Sequence, residues 1–162
     1  MRHTLLTVLM MIMTVAVSAA VADGPLESRL SAFRVVSDSN GQAALEQAEA
    51  AAPGDLIEYH LNYANRSTDA LGGLIINGPI PPGTTYVGES ARADIDHVLE
   101  VSIDDGNSWS TEPLMRQVRN ADGSVSEVEV PASEYTQIRW RLNNALQPHQ
   151  DLALRYRVSV SE

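Results

Sequence analysis

The stretch Ser102-Ile103-Asp104-Asp105-Gly106-Asn107-Ser108-Trp109 gathers two carboxylates, two hydroxyls, an amide and an indole in one short segment. With Asp94 and Asp96 nearby in the chain, Asp104, Asp105 and Asn107 offer the hard oxygen ligands that calcium takes. The Asp-x-Asx-x-Asx-Gly spacing of an EF-hand is not met, and no glutamate follows at the matching distance. His97 stands beside these aspartates, but His60, His97 and His149 share no spacing such as His-x-x-x-His, so they read as solvated surface groups and no metal site is assigned. For catalysis, Glu58 and Asp104 are a carboxylate pair that folding can bring together, as any acidic β protein allows. There is no Gly-x-Ser-x-Gly elbow and no phosphate-cradling glycine loop. The expectation is a non-enzyme with no catalytic residue.

A simpler use of the same residues is to close a turn. Asp and Ser side chains satisfy backbone groups, Gly106 adopts a conformation barred to other residues, and Trp109 packs beneath. In its spacing Ser102-x-Asp104-x-Gly106-x-Ser108-Trp109 resembles the Asp-box, a short hairpin motif that recurs in bacterial sialidases and other secreted β proteins. A sialidase carries several copies on a much larger propeller, with its active site elsewhere. One copy implies a structural turn.

The elements around that turn alternate with period two, the mark of strands with one face in a core. Ile57, Tyr59, Leu61 and Tyr63 oppose Glu58, His60 and Asn62; Leu99, Val101 and Ile103 oppose Glu100 and Ser102. Ile138, Trp140 and Leu142 oppose Arg139 and Arg141, and Leu152, Leu154, Tyr156, Val158 and Val160 oppose Arg155 and Arg157. Turn formers separate these runs. Ser39-Asn40-Gly41 can close a hairpin between Phe33 to Val36 and the stretch around Leu45, and Pro53-Gly54-Asp55 introduces the strongest strand. Pro79 to Gly83 separates Leu74-Ile75-Ile76 from Tyr86-Val87, Asp122-Gly123 precedes Val125 to Val130, and Gln147 to Gln150 joins the last two strands. The Ala- and Glu-rich stretch Ala43 to Ala52 lacks a helical stripe and reads as an edge strand with a loop. Short strands at such intervals predict an all-β, antiparallel open sandwich.

If the last two strands pair as a hairpin, Arg139, Arg141, Arg155 and Arg157 form a basic stripe, a candidate patch for an anionic partner. Acidic side chains on neighbouring strands, Glu58 or Glu100, are expected to neutralise it. Among the aromatics, Trp140 and Tyr59 fall on core faces, whereas Trp109 and Tyr135 lie near turns, where exposed rings can stack on sugars.

Composition narrows the partners. The 162 residues include no cysteine, so there is no disulfide framework, thiolate site or cysteine nucleophile, and all eleven basic residues are arginine. Arg2 and His3, an apolar run from Leu5 to Val17, and Ala20-Val21-Ala22 predict a signal peptide over residues 1-22, cleaved before Asp23. The apolar run is shorter than the ~20 residues of a spanning helix, so no membrane span is expected in the mature chain. Residues 23-162 are the size of a single domain. Removal of Arg2 leaves ten positive against twenty-one negative side chains, a net charge of −11. That excludes nucleic acid, whose phosphates demand a basic footprint, and disfavours anionic lipid.

Three segments carry a wider resemblance: P-G-D-L-I-E-Y-H-L-N-Y-A-N from Pro53, P-I-P-P-G-T-T-Y-V-G-E-S from Pro79, and I-R-W-R-L-N-N-A-L-Q-P-H-Q-D-L-A-L-R-Y-R-V-S-V from Ile138. They resemble the domain of unknown function numbered eleven, a bacterial conserved-repeat domain, over residues 53-160. The departures are His149, where the final turn of that family usually has Gly, and Ile80-Pro81-Pro82 for the usual Leu-Pro. The resemblance implies an immunoglobulin-like sandwich in exported envelope or surface proteins, with no activity assigned. The functional expectation is therefore a non-catalytic structural or protein-interaction module of the bacterial envelope, periplasmic or extracellular, whose partner is an envelope protein or polysaccharide. A carbohydrate-binding module is the alternative, and a calcium-stabilised adhesive domain a third reading.

Overall fold

In a computed structural model, described over residues 24-162, every regular element except one 3-10 turn at Ala132–Glu134 is a strand. In chain order these are β1 (Leu26–Ser37), β2 (Ala43–Gln47), β3 (Leu56–Asn65), β4 (Ile75–Pro79), β5 (Thr84–Tyr86), β6 (Arg92–Ala93), β7 (His97–Ser102), β8 (Ser110–Thr111), β9 (Met115–Arg119), β10 (Val125–Glu129), β11 (Gln137–Leu142) and β12 (Asp151–Val160). The predicted leader, residues 1-22, lies outside the described residues. Among the described residues no helix is long and apolar enough to cross a membrane.

The larger sheet runs β2-β1-β3-β12, with β5 and β6 both on the far side of β12; the smaller runs β4-β11-β7-β8; β9 and β10 form a separate hairpin. Every pairing is antiparallel. The inner faces of the two larger sheets meet in one core, an arrangement consistent with a β-sandwich. Ile57 and Leu61 of β3 and Leu152, Leu154, Tyr156 and Val158 of β12 lie against Ile138, Trp140 and Leu142 of β11 and Val101 of β7. Trp140 and Tyr156 are fully buried and tilt against each other across the layers, ring centroids 5.8 Å apart. Removing a large apolar side chain from water contributes roughly 1.5–3 kcal/mol, so this inner layer dominates the fold's stability. Gly78 is part of that fit: a Cβ there would stand 2.8 Å from Ile138 Cγ1 and 2.9 Å from Trp140.

The alternation read from the sequence holds through β3, β11 and β12. Elsewhere the structure departs from the sequence reading in three places. Ile103 is exposed, because β7 ends at Ser102 and the chain turns before Ile103 can face the core. β1 is far longer than its apolar end Phe33 to Val36; its core side carries Ser28, Ala32 and Arg34, which hide the period, and its pairing with β3 along nine residues supplies the order. Finally, β11 and β12 do not form a hairpin but belong to different sheets. The loop between them is a crossover, held by Asn65. The fully buried Asn65 side chain donates to the carbonyls of Leu146, Gln147 and Asp69, while its backbone N–H donates to Gln150. His149, at the turn of that crossover, has φ 58°, a left-handed conformation that explains why a glycine would suit the position.

The turns at Gly41 and Gly123 do close hairpins. Gly41, at φ 75°, closes β1 onto β2 with Val35 opposite Leu45, and β2 is the edge strand expected of Ala43 to Ala52. Asp122-Gly123 closes β9 onto β10, and this hairpin stands clear of the core: Met115, Val118, Val125 and Val128 are all exposed.

Candidate functional site

The turn after β7 is closed by its own side chains. The buried Ser102 hydroxyl donates to Asp104 Oδ1 at 2.8 Å and accepts from the N–H groups of Asp104 and Gly106 at 3.2 and 2.8 Å. Asp104 then accepts from the Ser108 N–H at 2.8 Å and the Ser108 hydroxyl at 2.6 Å, and Trp109 Nε1 donates to the Gly106 carbonyl at 3.0 Å. Donation from the Ser108 hydroxyl and amide and from Ser102 holds the Asp104 carboxyl below its ordinary range. Gly106 sits at φ 86° with Gln137 Oε1 only 2.9 Å from where a Cβ would be. Both carboxylate oxygens of Asp104 are thus engaged inside the turn.

That engagement bears on the chemistry considered for these residues. Asp94 Oδ1 accepts from the Ala153 N–H at 3.1 Å, in the other sheet's edge, so the aspartates named as calcium ligands are not drawn together. Among the described residues no three His, Asp or Glu side chains converge as a metal site. Glu58 and Asp104 are likewise apart, one on β3 of the larger sheet and the other beyond β7 of the smaller.

The histidines are not simply solvated. His60 is half buried, donates through Nε2 to Glu58 Oε1 at 2.7 Å, and lies 4.7 Å from the Phe33 ring; His97 Nδ1 lies 2.8 Å from the Ile95 carbonyl. Among the described histidines only His149 is exposed. Of the two aromatics placed near turns, Tyr135 is buried, stacked on Tyr86 at 5.9 Å, and Trp109 is half buried with the Arg139 guanidinium 4.0 Å over its ring. Tyr135 is therefore inside and closed to a sugar, and one face of Trp109 is covered by Arg139.

The four arginines divide between the two sheets, because their strands do. Arg139 Nε and Arg141 Nη2, on β11, both reach Glu100 of β7, at 2.7 and 3.1 Å. Arg157 Nε, on β12, reaches Glu58 of β3 at 2.7 Å. Burial alone would raise the carboxyls of Glu58 and Glu100. In each the opposing contacts win, from His60 and Arg157 for Glu58 and from Arg139 and Arg141 for Glu100, so both are lowered. A continuous basic stripe does not form, and the acids named as neutralising partners account for three of the four.

Arg155 is the exception, with no acidic partner among the described residues. Directly across from it on β6 is Arg92, and on its other side His60 of β3. Arg92 Nη1 donates to the carbonyls of Glu89 and Ala91, each at 2.7 Å, which fixes the guanidinium on the loop before β6. Two shallow depressions meet at this pair. One is floored by Ala153 and the backbone of Ala93 and Leu154 and flanked by Asn62 and Asp94; the other runs along Ser90, Glu89 and Arg157 toward Glu58. Arg92 had no signal in the sequence: a two-residue strand is too short for a period to be seen.

Compared with known proteins, the chain matches no family model, no curated protein and no solved structure.

Proposed function

We propose that this chain is an exported, non-catalytic module of the bacterial cell envelope, an immunoglobulin-like sandwich with a structural or protein-interaction role. The signal-peptide pattern at residues 1-22 and the resemblance of residues 53-160 to the conserved-repeat domain support the address, and the antiparallel two-sheet core is compatible with that family's fold. The observation that carries the interaction role is the β9–β10 hairpin. It is pinned at its base, where Arg116 donates to both carboxylate oxygens of Glu134 at 2.9 and 3.2 Å, yet both of its edges are unpaired among the described residues. Val118 and Val128 lie diagonally on one face and Met115 and Val125 on the other, all exposed. A two-stranded ribbon with open edges and apolar side chains is a ready acceptor for strand addition by a partner protein.

The test is capture from an envelope extract of the native cells on immobilised protein, beside the double variant Val118→Asp, Val128→Asp. A discrete protein retained by the parent and lost by the variant is the expected result. Retention unaffected by the variant removes the hairpin from the interface. Hydrolysis of a glycan or ester that one carboxylate substitution abolishes would overturn the non-catalytic reading. N-terminal sequencing of the exported protein is expected to begin at Asp23.

A further inference from the structure

The unpartnered arginine lies in a hollow whose polar groups are arranged in two rows. His60, Arg155 and Arg92 stand side by side across β3, β12 and β6. Two residues along the same strands, and so ~7 Å away on the same face, Asn62, Ala153 and Asp94 form the second row. The floor is low, because Ala153 in the second row carries only a methyl group and Ala93 and Leu154 turn their side chains to the core, and this leaves a depression of about 330 Å³. That volume is at the small end of small-molecule sites.

Two guanidinium groups opposed on neighbouring strands repel each other and destabilise the pair. At β11 the equivalent outward arginines converge on Glu100, but here no carboxylate is placed between them. Arg157 is occupied by Glu58, and Glu58 by His60 as well, so that acid does not reach Arg155. Asp94 keeps one oxygen on the Ala153 N–H in the opposite row. Arg155 and Arg92 therefore present planar donor forks suited to a carboxylate from outside the chain. The second row adds a neutral amide and a carboxylate oxygen, which recognise hydroxyl groups.

The geometry points to a binding site for a uronic acid residue, a sugar whose ring carries a carboxylate, at the hollow between Arg155, Arg92, Asn62 and Asp94. The carboxylate meets the two arginines. The ring hydroxyls on its far side meet Asn62 and Asp94, and the ring's C–H face rests on Ala153. A lone acidic side chain from a protein would fill only the arginine end and leave the second row unused. The overall negative charge of the molecule does not forbid this. At physiological ionic strength charges more than ~8 Å away are largely screened, and the arginines are in contact with the ligand. The site is independent of the hairpin and stands or falls separately from the envelope role.

The experiment is a heteronuclear NMR titration of the purified protein with galacturonate, glucuronate and tri-galacturonate, beside galactose, acetate and poly-glutamate. The expected result is saturable shifts at Arg155, Arg92 and Asn62 with the uronates, and at least tenfold weaker binding of galactose and acetate. Arg155→Ala is expected to weaken uronate binding at least tenfold. Ala153→Phe, which fills the hollow while keeping every charge, is expected to abolish it. Unchanged affinity in either folded variant overturns the site. Equal binding of acetate and galacturonate shows that the sugar ring adds nothing, and binding of poly-glutamate without the uronates shows a protein-directed patch; either result overturns the sugar class.

Discussion

The two sheets each carry an outward pair of arginines two residues apart on a strand, and they treat them differently. On β11, Arg139 and Arg141 share one carboxylate, Glu100, and Arg139 also lies over the Trp109 ring. On β12, Arg157 has Glu58, but Glu58 spends its other oxygen on His60, and Arg155 is left facing a second arginine. The arginine arrangement is the same in both strands; what differs is which side chains the neighbouring strands bring. β7 presents an acid between the two arginines. β6 presents Arg92. A cation pair closed by an acid inside the fold serves the fold, whereas an opposed pair without one is a local cost that an external anion can offset.

The largest expected effect on this comparison comes from removing the acids. Glu58 is buried and serves two partners, so Glu58→Ala leaves Arg157 and His60 without their acceptor and is expected to cost about 2–3 kcal/mol, below the full penalty of a buried pair because Arg157 keeps contact with water. Glu100→Ala strands a half-exposed Arg141 and an Arg139 still stacked on Trp109, and about 1–2 kcal/mol is expected. Urea denaturation of the two variants beside the parent checks the order. If Glu100→Ala proves the costlier, the smaller sheet's pair contributes more than its exposure implies.

Acid pH should act on both clusters. The folded carboxyls of Glu58 and Glu100 lie below the ordinary value of 4.5, so the stability they contribute is fully present above that value and is lost as pH falls through their folded pKa. Between pH 6 and 3 the urea midpoint of the parent is expected to fall. Glu58→Gln and Glu100→Gln should each flatten the acid limb, and the double variant should be flatter than either. A single variant that keeps the parent's slope removes that carboxylate from the linkage.

How legible these features were depended on the range of the interaction. β3, β11 and β12 were readable because each alternates over six or more residues, and an alternating strand states which face is buried without reference to its neighbours. Its partners are another matter. Adjacency along the chain suggested that β11 pairs with β12, while the deciding contacts are those of Asn65, a residue some eighty positions away from Leu146 and Gln147, to which it donates. The side-chain bonds among Ser102, Asp104, Gly106, Ser108 and Trp109 are local and could be read from the spacing, whereas the anchoring of the turn to Thr136 could not. Glu58 and Glu100 were visible as neutralising acids because they alternate with core residues on readable strands. The Arg92–Arg155 pair was not, because it depends on a two-residue strand joining an edge.

The smallest expected effect on stability is the one that separates the two clusters most sharply. Arg139→Ala removes a 2.7 Å bond to Glu100 and uncovers Trp109, so a loss of about 1–1.5 kcal/mol is expected. Arg155→Ala removes no ion pair within the described residues and relieves the repulsion from Arg92, so its stability should lie within about 0.5 kcal/mol of the parent, on the stabilising side. Added salt gives the sign a second check. Screening weakens the Arg92–Arg155 repulsion in the parent, so the advantage of Arg155→Ala should shrink between 20 and about 500 mM salt. A clear destabilisation by Arg155→Ala would mean that its aliphatic stem packs on the sheet and that the arginine belongs to the fold after all. A gain that fades with salt would mark Arg155 as a residue whose retention the fold itself does not require.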